Sequence, residues 1–331
     1  MVNSLFEDAL LLADSGIGDS SIVTHTVGDP NSSHIRVLNF AFLGCEPSFP
    51  YGPIPHTAQL LMDSLAQAAK EVMELQSCHR REANRNEDTE ACWMLRMKLY
   101  NVQKDEYPVS KDEWDMYDGI ILPGSFSAAY EDEPWIHKLC NIIQAEIVAP
   151  QRKTLGICFG HQVMAHSFAD GLASKMPQGS RAGRIVMTTT AAGQALFSGK
   201  TQESFYYTHG DFVEKLPSTA VCLGGDERVS ILSAAYYGTP NEALEMGAKP
   251  YAITFQAHPE YASSMDMGLY RTLDAIMDVM VQKGLLEAKD RDFVGHDAVK
   301  SFEVVQRDSL DTMVTVGKLL GWFPGDEDTS Y

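Results

Sequence analysis

The sequence is short of the features that mark most specialised protein classes. Its 331 residues include six cysteines, at positions 45, 78, 92, 140, 158 and 222, irregularly spaced and with no Cys-x-x-Cys pair. That excludes a disulfide framework or a cysteine-rich zinc site and makes a reducing, cytoplasmic compartment the expectation. No apolar run approaches the ~20 residues of a membrane span. The opening stretch MVNSLFEDALLLADSG has an apolar centre, but it carries acidic residues and no basic flank, so it is a poor signal peptide. Positive charge is scarce: 26 Lys and Arg stand against 45 Asp and Glu, a formal net charge of −19. Such a chain repels phosphate backbones, and no nucleic-acid partner is expected. The one basic cluster, CHRREANR, runs straight into the acidic NEDTE and reads as a solvated loop. There is no internal repeat and no G-x-x-x-x-G-K nucleotide loop.

What is present is ordinary globular material, 44% hydrophobic and 21% charged, enough for a sizeable core. Residues 1–34 read as an N-terminal extension that includes the loop signal GDPNSSH. From residue 35 strands and helices alternate. IRVLNFAFL is a strand, and Thr57 caps a helix running to about Leu75. A polar insertion over about 78–90 precedes the strand CWMLRMKLYNV. YDGIILPGS is a short buried strand ending in a turn, and DEPWIHKLCNIIQAEIVA is a helix. KTLGIC is another buried strand, and HQVMAHSFA a helix stopped by Gly171. This alternation predicts a parallel sheet covered on both faces. Residues 183–258 are richer in strands: RIVMTTT, SFYYTHG, AVCLGG, ILSAAYY and YAITFQAH. The simplest organisation is one α/β domain over 35–262, with a helical extension over 263–331 packed on it.

The stretch TLGICFGHQ carries a strand, then Gly156-Ile-Cys158-Phe-Gly160, then a helix. This is the G-x-nucleophile-x-G elbow with cysteine in the nucleophile's place. A nucleophile in a strained turn needs small neighbours where a Cβ would clash. The helix beyond it turns its amides and positive dipole end toward the sulfur, which favours the thiolate. The amide of Phe159 is then placed to donate to an oxyanion. On the pentapeptide alone, a core cysteine in a glycine-rich turn is the alternative. A cysteine nucleophile needs a base, and the base an orienting group. Of ten histidines, His258 in YAITFQAHPEY stands at the end of an apolar strand with Glu260 two residues on. On extended backbone the two lean to the same side, and Pro259 stiffens the chain between them. Glu260 is thus placed to hold the ring, although the string by itself also reads as a polar loop. Pro123-Gly124-Ser125 offers backbone amides after a buried strand, as many an ordinary βα turn does. His209-Gly210-Asp211 interrupts an aromatic strand and in isolation reads as a turn.

Taken in order, LPGS, GICFGHQ, HGDFVEKLP and FQAHPE resemble the class I glutamine amidotransferase family over roughly residues 35–261. More narrowly, they resemble its stand-alone members similar to the glutaminase domain of GMP synthase, plant γ-glutamyl peptidases among them. The resemblance implies a flavodoxin-like α/β sandwich with a central mostly parallel sheet and an added antiparallel section, here with a helical C-terminal extension. It implies Cys158 as nucleophile, His258 as general base and then acid, Glu260 as orienting carboxylate, and Gly124 and Phe159 as oxyanion amides. Gln162 would help hold the γ-glutamyl portion of a small-molecule substrate, with Ser125, His209, Gly210 and Asp211 as further binding residues. The implied chemistry passes through a γ-glutamyl thioester to glutamate and needs no metal or organic cofactor. Two departures stand out. Pro-Gly-Ser125 replaces the common Pro-Gly-Gly, with the first glycine kept. Ser180-Arg181-Ala182-Gly183 stands where a Glu followed by a Gly is common; an exposed loop is the favoured reading, and a cation at the substrate entrance the alternative. No synthase domain accompanies the motifs. A stand-alone hydrolase of a γ-glutamyl peptide or glutathione conjugate is therefore favoured over a glutaminase feeding ammonia to a separate synthase partner. An inactive binding subunit is disfavoured because every triad position is filled.

Overall fold

A computed structural model of the chain describes residues 21–325 apart from 33, 51, 83–91 and 246. Among the described residues twelve strands form: β1 Ile22–Val27, β2 Ile35–Gly44, β3 Cys92–Asn101, β4 Gly119–Leu122, β5 Thr154–Ile157, β6 Leu172–Lys175, β7 Arg181–Thr189, β8 Gln202–His209, β9 Asp211–Lys215, β10 Ala220–Gly225, β11 Ser233–Tyr236 and β12 Ala252–Phe255. Ten of them make one sheet in the order β1-β3-β2-β4-β5-β12-β11-β10-β7-β8, and β6 pairs β9 separately. The five strands from β3 to β12 run parallel. Their spatial order, second-first-third-fourth-fifth in the chain, is the flavodoxin-like winding. The strands from β11 to β8 add an antiparallel section. The expected sandwich is therefore present.

The parallel centre exists because its strands have no polar face. All four residues of β4, of β5 and of β12 are buried, as strands covered on both sides must be. Alternation along β2 sends Leu38, Phe40 and Phe42 to one core and Ala41 and Leu43 to the other. On the first face lie α1 (Ile54–Glu82) and the last helix. On the second lie α2 (Pro134–Ile142), which continues as a π-turn to Val148, and α3 (Phe159–His166). Beyond β12 come α4 (Asp274–Gln282), α5 (Ala288–Lys300) and α6 (Phe302–Leu319). Trp322 closes the arrangement by packing edge-on against Phe40, with ring centroids 5.0 Å apart, and by donating to the Asp118 carbonyl at 2.8 Å. A Cβ at Gly119 would meet the Trp322 ring at 2.5 Å, so the absence of a side chain there makes room for the indole.

Four local readings need correction. Residues 22–27, read as part of an extension, form an edge strand pairing antiparallel with β3, Ile22 opposite Lys98 and Val27 opposite Trp93. The helix expected to start at a Thr57 cap begins at Ile54 and runs on to Glu82, consuming the start of the polar insertion. The helix expected to stop at Gly171 ends at His166; Gly171 instead brings the chain against the Ala165 carbonyl, where a Cβ would sit at 2.0 Å. Arg181 is not on an exposed loop: it opens β7, is buried, and forks onto Asp226 through two bonds of 3.1 and 2.5 Å. The opening apolar run and most of the basic cluster's tail lie outside the described residues. No helix among the described residues is long and apolar enough to cross a membrane.

Candidate active site

The parallel strands β4 and β5 and the neighbouring β12 deliver the site at their carboxyl ends, where ligands of open α/β sheets bind. β5 runs into Cys158, which adopts φ 53°, ψ −106°, and α3 starts at the next residue. Only close packing sustains so strained a backbone. The Cys158 amide is tied to the Phe255 carbonyl at 2.7 Å and the Gly160 amide to Pro123 at 3.1 Å. Both flanking glycines are needed. A Cβ at Gly160 would stand 2.0 Å from the Leu122 carbonyl oxygen, and one at Gly156 2.8 Å from Thr254. The tight turn read from the sequence is therefore there for a steric reason. The Phe159 amide, at the first helical position, has no intrahelical acceptor. Neither it nor the Gly124 amide is engaged by another group among the described residues, so both remain available to a developing oxyanion.

His258 and Glu260 follow β12 on a short 3-10 turn, and both are buried. The His258 ring bonds the Glu260 carboxylate through Nδ1 at 2.8 Å and stacks flat on Tyr261, with centroids 4.2 Å apart and planes 4° apart. Burial pushes the imidazole's pKa down, but the Glu260 carboxylate and the Cys158 sulfur beside it override that and raise it to about 10. His258 is thus held as an imidazolium at neutral pH. His209 behaves in the opposite way. Burial drives it down to about 3, with the positive Arg181 and His258 adding to the effect, so it is a neutral ring; its Nδ1 donates to the Asp211 carbonyl at 2.8 Å.

The sequence-read residues Ser125, Cys158, Gln162, His209, Gly210 and Asp211 line a single cavity of about 260 Å3. Several of them are already committed to one another. The Gln162 amide donates to the Asp211 carbonyl and to Gln256 Oε1, each at 3.0 Å, while Gln256 Nε2 reaches Cys158 Sγ at 3.6 Å. Asp211 accepts from the Tyr130 hydroxyl at 2.7 Å. Ser125 spends its hydroxyl as a brace, donating to Glu46 Oε2 at 3.2 Å and accepting from the Ser127 amide at 3.1 Å. Glu46 also takes the Phe126 amide at 3.2 Å and, on its other oxygen, Ser48. His161, the histidine of GHQ, is in the core on Thr254 at 2.7 Å. Sequence reasoning missed Glu46, Gln256 and Tyr261. Tyr261 directly follows the His-Pro-Glu string and Gln256 stands two residues before His258, so their signal was proximity. Glu46 gave none, because 79 residues separate it from Ser125. Among the described residues no group of three or more His, Cys, Asp or Glu gathers as metal ligands would.

The flavodoxin-like sheet thus carries a cysteine on a strained strand-to-helix turn and, at the end of the neighbouring strand, a buried His–Glu pair. Residues 90–270 match the family described as Glutamine amidotransferase class-I, and the chain belongs to that family. It is 27% identical over 190 residues to gamma-glutamyl peptidase 5 of Arabidopsis thaliana, covering 56% of this chain and 68% of that one. It is 30% identical over 155 residues to a glutamine-hydrolyzing GMP synthase of Wolinella succinogenes, covering 46% of this chain but 26% of the synthase. In fold it is similar to a glutamine amidotransferase from Thermotoga maritima, with TM-score 0.56 at 16% identity, over 86% of this chain and 98% of that one.

Proposed function

We propose that the protein is a hydrolase of γ-glutamyl amide bonds acting through Cys158, with a γ-glutamyl peptide or glutathione conjugate as the favoured substrate. The observation that carries this reading is the strained Cys158 turn, which opens on the cavity, with the buried His258–Glu260 pair 2.8 Å apart behind it. The Cys158 sulfur attacks the γ-carbonyl carbon, and the carbonyl electrons move to oxygen. The amides of Gly124 and Phe159 receive that oxyanion. The C–N bond breaks as His258 gives its proton to the departing amine, leaving a γ-glutamyl thioester. His258, now neutral, takes a proton from water. The hydroxide adds to the thioester, and glutamate leaves as the sulfur is released. Glu260 keeps the ring oriented and its positive charge favourable throughout. No step draws on a metal or an organic cofactor.

The alternative is a glutaminase supplying ammonia to a separate synthase. Its support is the match to 26% of a glutamine-hydrolyzing GMP synthase. The similarity to gamma-glutamyl peptidases along most of their length favours the hydrolase. Purified protein incubated with glutamine, glutathione and a glutathione S-conjugate decides between them by glutamate release. Turnover of the peptides and loss of all release in Cys158→Ala are expected. Turnover of glutamine alone would favour the glutaminase, and release undiminished in Cys158→Ala would remove the hydrolase assignment.

A further inference from the structure

The cavity around Cys158 is not uniformly polar. Most of its lining can meet the ammonium and carboxylate that every γ-glutamyl group carries. Phe126, Met280 and Leu285 cannot. They come from two places in the fold. Phe126 lies two residues past Gly124, so this wall begins beside the point where the scissile carbonyl sits. Met280 and Leu285 come from the end of α4, beyond the motifs that define the family. That helix closes in a Schellman turn. Gly284 takes φ +68°, its amide bonds the Val281 carbonyl at 3.0 Å, and the Leu285 amide bonds the Met280 carbonyl at 2.8 Å. The turn leaves both Met280 and Leu285 on the lining of the cavity. Met280 is buried and Leu285 is 42% exposed, so the pair forms a wall with one open edge. The same turn carries Lys283 to 4.4 Å above the Phe126 ring.

An ammonia leaving group has no use for such a wall. We infer that Phe126, Met280 and Leu285 form the leaving-group subsite, and that it selects γ-glutamyl compounds whose departing amine is an α-amino acid or peptide with an apolar side chain, its carboxylate turned toward Lys283. This rests on the γ-glutamyl hydrolase reading and adds which amine leaves. The apolar side chain lies on the wall while His258 protonates its nitrogen. The α4 turn therefore acts on specificity, while the family motifs supply the chemistry.

The test is kcat/KM by glutamate release from γ-Glu-Leu, γ-Glu-Gly, γ-Glu-leucinamide and glutamine. The wild-type protein is expected to prefer γ-Glu-Leu over γ-Glu-Gly by about tenfold or more, the discrimination an apolar pocket gives for added methylenes. Leu285→Asp lowers that ratio by about tenfold, and Leu285→Met keeps it. Lys283→Glu lowers the ratio of γ-Glu-Leu to γ-Glu-leucinamide. A ratio of unity for γ-Glu-Leu over γ-Glu-Gly in the wild-type protein overturns the subsite, even with both hydrolysed through Cys158. An unchanged ratio in Leu285→Asp also overturns it. Absence of release from all four compounds would instead remove the hydrolase reading, and the subsite with it.

Discussion

Replacing Glu260 by Gln separates the two tasks its carboxylate performs. The amide oxygen of Gln is still able to accept the Nδ1–H of His258, now 2.8 Å from Glu260 Oε1, so ring orientation survives. The charge does not. Burial alone pushes His258 down, and the Glu260 carboxylate, together with the Cys158 sulfur, is what lifts it to about 10. Two unit charges ~4 Å apart interact by about 4 kcal/mol at an effective dielectric of 20, so the variant's imidazole falls most of the way from about 10 toward the ordinary histidine value near 6.5. In a pH–rate profile of glutamate release, the alkaline limb, where His258 loses the proton it must give to the leaving amine, moves from about pH 10 toward neutrality. At pH 8 the variant is expected to lose about two to four orders of magnitude in kcat/KM. Alkylation of Cys158 by iodoacetamide slows at neutral pH in the same variant, since the paired imidazolium is gone. The same linkage shows in stability. A histidine raised on folding stabilises fully below about pH 6.5, and that contribution is lost as pH rises through about 10; Glu260→Gln flattens the slope. A variant that kept both the wild-type rate and the wild-type alkaline limb would refute the role given to Glu260.

Three further perturbations act elsewhere. Glu46→Ala unties Ser125 and the Phe126 amide beside the oxyanion turn, so kcat is expected to fall about 10- to 100-fold with KM changing little; a matched rise in KM with kcat intact would contradict it. Trp322→Ala removes a buried ring packed on Phe40 and orphans the Asp118 carbonyl, which should cost about 3–5 kcal/mol in a denaturant titration. Glu203 is buried against Thr312, and desolvation raises its pKa to about 7. A carboxyl raised on folding destabilises progressively as pH climbs from about 4.5 through 7, so Glu203→Gln should raise the thermal midpoint at pH 8 and change it little at pH 4.

The arrangement around Cys158 and His258 was legible because it is local. Gly156 and Gly160 flank Cys158 within five residues, and His258 and Glu260 lie two apart on extended chain, so each motif carries its own steric or directional reason. The parallel strands were legible because burial on both faces leaves runs such as GIIL and TLGI short, without charge and with no exposed position. Where the reading failed, a weak local signal was overruled from afar. Ile22–Val27 is a β-branched alternating stretch, yet what makes it a strand is the free edge of β3. Arg181 sits in a glycine-rich stretch that resembles a loop, and is drawn inside by Asp226, 45 residues away.

The wall of the cavity belongs to that second kind. The sequence marked residues 263–331 as a helical extension packed on the domain, and nothing in it singled out Met280 or Leu285. Only the Schellman turn makes them neighbours, and only the packing of α4 near Phe126 turns that pair toward Cys158. The chemistry of such a site is written in short motifs on the parallel sheet. With the leaving-group subsite inferred above, what it acts on depends on how a helix ends more than a hundred residues further along the chain.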